Sequence, residues 1–119
     1  SPTPYETYDT VEVGDSGEKL NLEARKILEE EIDKLNKRMN AQLTAFDLCR
    51  RGTLNRKLGL LKLALDDING ALRMEPNFVD AYWQRHLIHF VQNRKDEALD
   101  DLNVILKINR THSGAYLSR

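Results

Sequence analysis

Ala64-Leu65-Asp66-Asp67-Ile68-Asn69-Gly70-Ala71-Leu72 returns 34 residues later as Ala98-Leu99-Asp100-Asp101-Leu102-Asn103-Val104-Ile105-Leu106. The first four residues are identical in order, and Asn69 and Leu72 match Asn103 and Leu106 at the same offset. The register holds well outside this stretch. It sets Arg51 on Arg85 and Ala81-Tyr82 on Ala115-Tyr116, with conservative matches at Leu54 and Ile88, Arg73 and Lys107, and Met74 and Ile108. A period of this length marks one supersecondary unit that buries its apolar face by stacking on copies of itself.

Within the first unit, about 45–78, Leu48, Gly52, Ala64, Ile68, Ala71 and Pro76 follow one another at the signature spacing of a known repeat. On these residues the chain resembles the tetratricopeptide repeat (TPR) family. Each position has a physical task. Small residues at Gly52 and Ala64 let two antiparallel helices approach closely, Leu48 and Ile68 fill the space around that contact, and Pro76 stops the second helix. Gly59 falls in the turn between the helices, where a left-handed residue is needed. The second unit, about 79–112, keeps Tyr82, Ala98, Leu102 and the turn residue Asn93, and a third begins at about 113. The resemblance implies an all-α fold: antiparallel helix pairs stacked as a short right-handed solenoid, two full repeats and the start of another.

The departures from the pattern carry expectations of their own. Asn55 and His89 stand where the family has a large aromatic, His86 replaces a small residue, Ile105 an alanine and Arg110 a proline. His86 predicts a wider helix crossing or a side chain turned aside. Without proline at 110, the last helix is free to run on toward Thr111.

Upstream the register fails, because the signature alanine would fall on Glu30. Residues 18–42 read instead as a long amphipathic, non-repeat capping helix. Leu28, Ile32, Leu35, Met39 and Leu43 recur at steps of four, three, four and four, and Asp15 or Ser16 could cap its start. Such a stripe suits packing on the repeats or a coiled coil with a second copy. Residues 1–17 form an acidic arm. The first 18 residues hold five carboxylates and no Lys or Arg, with Pro2 and Pro4 near the front, which predicts extended or disordered chain. The repeat domain is then 43–119.

Composition narrows the classes of function. The 119 residues carry a net charge of −1, so no global basic field draws in nucleic acid or an anionic membrane. One cysteine, Cys49, excludes an internal disulfide framework and a multi-cysteine zinc site. Apolar runs are too short to span a bilayer, and no secretory leader is visible. The chain does not begin with methionine and reads as a piece of something longer, or a processed form. The expected compartment is cytoplasmic. The sequon Asn109-Arg110-Thr111, read as a loop, keeps a lumenal one open, and Thr3-Pro4 fits a proline-directed phosphorylation site.

In such folds the concave face, lined by the first helix of each repeat, binds partners. The resemblance places Cys49, Thr53 and Arg56 there from the first repeat, and Asp80, Trp83, Leu87 and Phe90 from the second. Trp83, Leu87 and Phe90 suit either anchors for a bound segment or packing within the protein. The family's carboxylate clamp needs Lys and Asn where this chain has Cys49, Thr53 and Trp83, so chaperone-tail binding of that kind is not expected. Arg50, Arg51 and Lys57, with Arg56, Lys37 and Arg38 nearby, form a basic patch. It reads as a solvated helix face or a surface for an acidic partner, the chain's own segment Tyr5–Asp15 included.

Chemistry has little to work with. A lone cysteine on a helix face is usually a small core residue. His86, His89 and His112 lack the spacing and support of a metal site. Asp66-Asp67 and Asp100-Asp101 are repeat features. No phosphate loop, nucleophile elbow or dinucleotide fingerprint is present. The reading is a non-catalytic protein-interaction module with no cofactor or metal. Its alternatives are a regulatory or substrate-selecting arm of a larger enzyme, or an architectural piece of a longer solenoid. Self-association through an exposed C-terminal repeat edge is a further possibility left by the sequence.

Overall fold

The computed structural model describes residues 21–37 and 43–117, and from 112 onward the helix backbone alone. The acidic arm 1–17, the cap candidates Asp15 and Ser16, and Arg38 and Met39 lie outside the described residues. Among these the elements are α1 (Leu22–Lys37), α2 (Ala45–Lys57), α3 (Leu61–Met74), α4 (Val79–Val91) and α5 (Lys95–Leu117). The structure is an all-α helical-repeat solenoid in which α2 pairs with α3 and α4 with α5.

The 34-residue period reappears in the backbone. Gly59 ends the α2 turn at φ 81° and Asn93 ends the α4 turn at φ 62°. Leu60 N–H then bonds Asn55 O, and Arg94 N–H bonds His89 O, the same closure one repeat apart. Glycine adopts this conformation without strain, and asparagine tolerates it better than most residues. Pro76 acts as expected. The residue before it, Glu75, is extended (φ −136°, ψ 86°), which stops α3 at Met74.

Arg110 has no such effect, and α5 runs on past Thr111 through the expected start of a third repeat to Leu117. Asn109 is therefore an exposed residue of a helix rather than of a loop, contrary to the reading of the sequon. Thr111 Oγ1 donates back to Lys107 O at 2.9 Å.

α1 starts at Leu22 and is capped by Asn21, whose Oδ1 accepts from Ala24 N–H at 2.8 Å; the rest of the expected 18–42 helix lies outside the described residues. Leu28 and Leu35 are buried, Ile32 is half-buried, and Ala24 joins them; all pack with Leu54 of α2 and Leu58 at its C-cap. Leu43 lies outside the helix, just ahead of α2. The main core gathers Ala64, Ile68, Ala71 and Leu72 of α3 with Cys49, Ala81 and Ile88.

Gly52 is where the first helix pair is tightest. A Cβ there would lie 2.7 Å from Ile68 Cδ1 and 3.1 Å from Ala64 O. At the matching position in the second pair, His86 is turned back along its own helix. Its Nδ1 donates to Trp83 O and its ring sits 4.4 Å from the indole.

The edges differ as the stack requires. Leu72 is buried by α4, while its repeat mate Leu106 is 56% exposed on α5.

Candidate functional site

Two helices that open successive repeats shape the candidate site. α2 is started firmly by a capping box. Asp47 N–H donates to Thr44 Oγ1 at 3.0 Å, and Thr44 N–H donates to Asp47 Oδ2 at 3.1 Å. From this fixed start, Phe46, Cys49, Arg50 and Thr53 recur at helical spacing along one face. α4 begins after Phe78 and presents Asp80, Trp83 and Gln84 on its first turns. These eight residues line a cavity of about 500 Å³ between the two helices.

Of the residues expected in the groove, Cys49, Thr53, Asp80 and Trp83 come together there. Arg56 does not stand in the open groove. It is buried, and its Nε donates to Gln84 Oε1 at 2.9 Å, tying α2 to α4. Leu87 is half-buried one turn beyond the cavity, and Phe90 projects 62% exposed away from its lining. Sequence reasoning missed Phe46, Phe78 and Gln84, and placed Arg50 in the basic patch rather than in the groove. Phe46 was within reach, because it lies three and seven residues before Cys49 and Thr53 on the same face. Gln84 was as well, being the repeat mate of Arg50.

The interior of the site is chemically quiet. Burial, helped by the nearby Asp80 charge, pushes the Cys49 thiol up to about 12, against a hydrogen bond from Thr53. A thiol so placed stays protonated at neutral pH and is no nucleophile. Thr53 Oγ1 donates to the Cys49 carbonyl at 2.8 Å, closing its own polar need on the helix.

The basic patch is not an open surface. Arg50 Nη2 reaches Glu31 Oε1 at 2.6 Å, joining α2 to α1. Arg51 grips Asp67 with two bonds, Nε to Oδ2 at 2.9 Å and Nη2 to Oδ1 at 2.6 Å. Asp67, and Arg85 through its tight pairing with Asp101, show that the Asp-Asp pairs are split in role. Asp67 and Asp101 are buried and clamped, while Asp66 and Asp100 face water. Lys57 is buried at the far end of α2, and that burial lowers its pKa to about 8.

The arginines bind the repeats together. Arg51 also donates to Asn36 Oδ1 on α1 at 3.1 Å, and Arg85 to Asn69 Oδ1 on α3 at 3.0 Å. Each arginine thus spans its own repeat and the helix before it, and α1 takes the place that α3 holds one step later. The geometry explains why Arg51 and Arg85, Asp67 and Asp101 recur at one offset.

The histidines do not converge. His86 is held on Trp83 O, and His89 faces Asp101 with Nε2 3.8 Å from Oδ2; the His112 side chain lies outside the described residues. Among the described residues no group of three metal-ligating side chains gathers, and no helix is long and apolar enough to cross a membrane.

Comparison with known proteins gives a distant likeness. No family model matches the chain, and no solved structure matches it. Over 80 residues, 67% of the chain, it is 30% identical to DnaJ homolog subfamily C member 7 of mouse, and the human protein of that name matches to the same extent. The chain spans about 15% of the length of these curated relatives. The repeated backbone closures and the repeated arginine bridges make the chain an all-α helical repeat.

Proposed function

We propose that this chain is a non-catalytic protein-interaction module, and that it holds a segment of a partner protein in the cavity between α2 and α4. The observation that carries this reading is the exposure of large aromatic side chains around a concave site. Phe46 is 64% and Trp83 48% exposed, and both line the same cavity with Phe78. Solvent-facing rings that border a cavity are the usual anchors of a bound segment. The indole of Trp83 is braced by the His86 ring, so ordering it on binding costs little. The Arg56–Gln84 strut fixes the spacing of the two helices beneath. A segment recognised here would depend on side chains rather than on a terminal carboxylate, since no Lys and Asn stand at the clamp positions.

The reading is tested by quantitative capture of partner proteins with the chain and with its Trp83→Ala variant, after circular dichroism shows both equally helical. A partner retained by the first and lost by the second, and displaced by a peptide from its own sequence, supports a segment-binding groove. Equal capture by both proteins would make Trp83 structural and sink the proposal.

A further inference from the structure

The cavity has a charge balance that selects among partner segments. Its cationic member, Arg50, is already committed to Glu31 at 2.6 Å. Its acidic member, Asp80, is exposed in the first turn of α4 and makes no ion pair with any other described residue. Phe46 and Trp83 line the same cavity as this carboxylate, and the faces of aromatic rings carry the negative side of the quadrupole. Aromatic faces and a carboxylate that lacks a counter-ion attract cations and repel anions. Of the remaining wall, Phe78 and Cys49 are apolar, beside Thr53 and Gln84, and suit the methylene stem that lysine and arginine carry beneath their charge.

We propose that the cavity between α2 and α4 receives a lysine or arginine side chain of the partner segment, its charge held by Asp80 between the rings of Phe46 and Trp83. This rests on the groove reading above and gives it a sign: the bound segment is basic and carries an apolar residue beside the cation. The volume of about 500 Å³ accommodates one long side chain and part of its neighbour. Acidic segments meet Asp80 and the ring faces with like charge and are rejected.

The chain carries its own reporter, because Trp83 is its one tryptophan. A randomised peptide display library is selected on the whole chain, with Trp83→Ala used to remove background, and recovered peptides are titrated against Trp83 fluorescence. The expected peptides share a lysine or arginine next to an aliphatic or aromatic residue. Replacing that cation by norleucine, which keeps the length and removes the charge, weakens binding by about 10-fold. Asp80→Asn, at an exposed position that leaves the fold intact, weakens the parent peptide and has no effect on the norleucine peptide.

Recovered peptides that need Trp83 but bind equally well with norleucine, or that are acidic, overturn the cation assignment and leave the groove standing. A selection with no Trp83-dependent peptide overturns both.

Discussion

The two repeats hold the same clamp and close it differently. In the first, Asp67 receives two bonds from Arg51 and a third from Asn55 Nδ2 at 3.2 Å, so its carboxylate is fully occupied. In the second, Arg85 alone supplies three contacts to Asp101, from Nε to both carboxylate oxygens at 3.1 Å and 3.0 Å and from Nη2 at 2.7 Å, and the residue matching Asn55 is His89. Its Nε2 stands 3.8 Å from Asp101, beyond hydrogen-bond reach, and its Nδ1 is buried with no hydrogen-bond partner among the described residues. The two arginines also differ, with Arg51 15% and Arg85 26% exposed along the side chain. One scaffold therefore carries a junction shared by an arginine and an asparagine, followed by one that the arginine holds alone beside a titratable histidine.

The comparison is broken most directly by removing the aspartates. Asp67→Ala removes the buried acceptor that Arg51 and Asn55 share, though Arg51 keeps its bond to Asn36, and is expected to cost about 3 kcal/mol in urea unfolding. Asp101→Ala leaves a more exposed Arg85, still bonded to Asn69, and a histidine that had no hydrogen bond to lose; about 2 kcal/mol is expected. Equal costs, or a larger one at Asp101, would mean that the second clamp is as tight as the first.

The helix crossings offer the next largest effect. Gly→Ala in a helix normally stabilises by about 1 kcal/mol. At Gly52 the new Cβ meets the fully buried Ile68 and the Ala64 carbonyl, so Gly52→Ala should instead lose about 1–2 kcal/mol. A gain in thermal midpoint would show that α2 and α3 have room to part.

A smaller effect follows from His89. Burial lowers its pKa below the ordinary value, more than the Asp101 charge restores. The unfolded chain therefore binds the proton first. His89 contributes its full share of stability above a pH of about 6.5, and that share is lost as the pH falls toward the lowered folded value. His89→Asn, which copies Asn55, should flatten this part of the pH dependence and leave the rest. Urea midpoints of the two proteins at pH 8 and pH 5.5 decide it, and identical shifts in both would rule His89 out as the source.

The sequence made the helix pairs legible because period, turn residues and Pro76 act locally, each through its own backbone preference. It also contained the clamps, since Arg51 and Asp67 recur together as Arg85 and Asp101. Read one at a time, however, an arginine on a helix face looks solvated, and only its partner sixteen residues on shows otherwise. The basic patch was misplaced for that reason. The cavity was half legible. Cys49, Thr53, Asp80 and Trp83 follow from position in the repeat, but Phe90 and Arg56 depend on how far each helix rotates against its neighbour. Packing against the neighbouring helices, α1 and α3 for Arg56 and α3 and α5 for Phe90, sets that rotation, and no single-helix pattern reports it. The run of α5 past Thr111 was likewise hinted by Arg110 without being fixed by it.

The smallest effect tests whether the second crossing is as loose as its sequence suggests. His86 stands at the position of Gly52, yet it is only half-buried and spends its contacts on its own helix, through the Trp83 carbonyl and indole. His86→Ala would forfeit a partly exposed ring contact worth about 0.5 kcal/mol and recover about as much in helix propensity. The expected change in stability is within about 0.5 kcal/mol of zero. A loss near 2 kcal/mol would mean that the imidazole fills the space between α4 and α5, and that the second repeat achieves with a large residue the closeness that the first achieves with none.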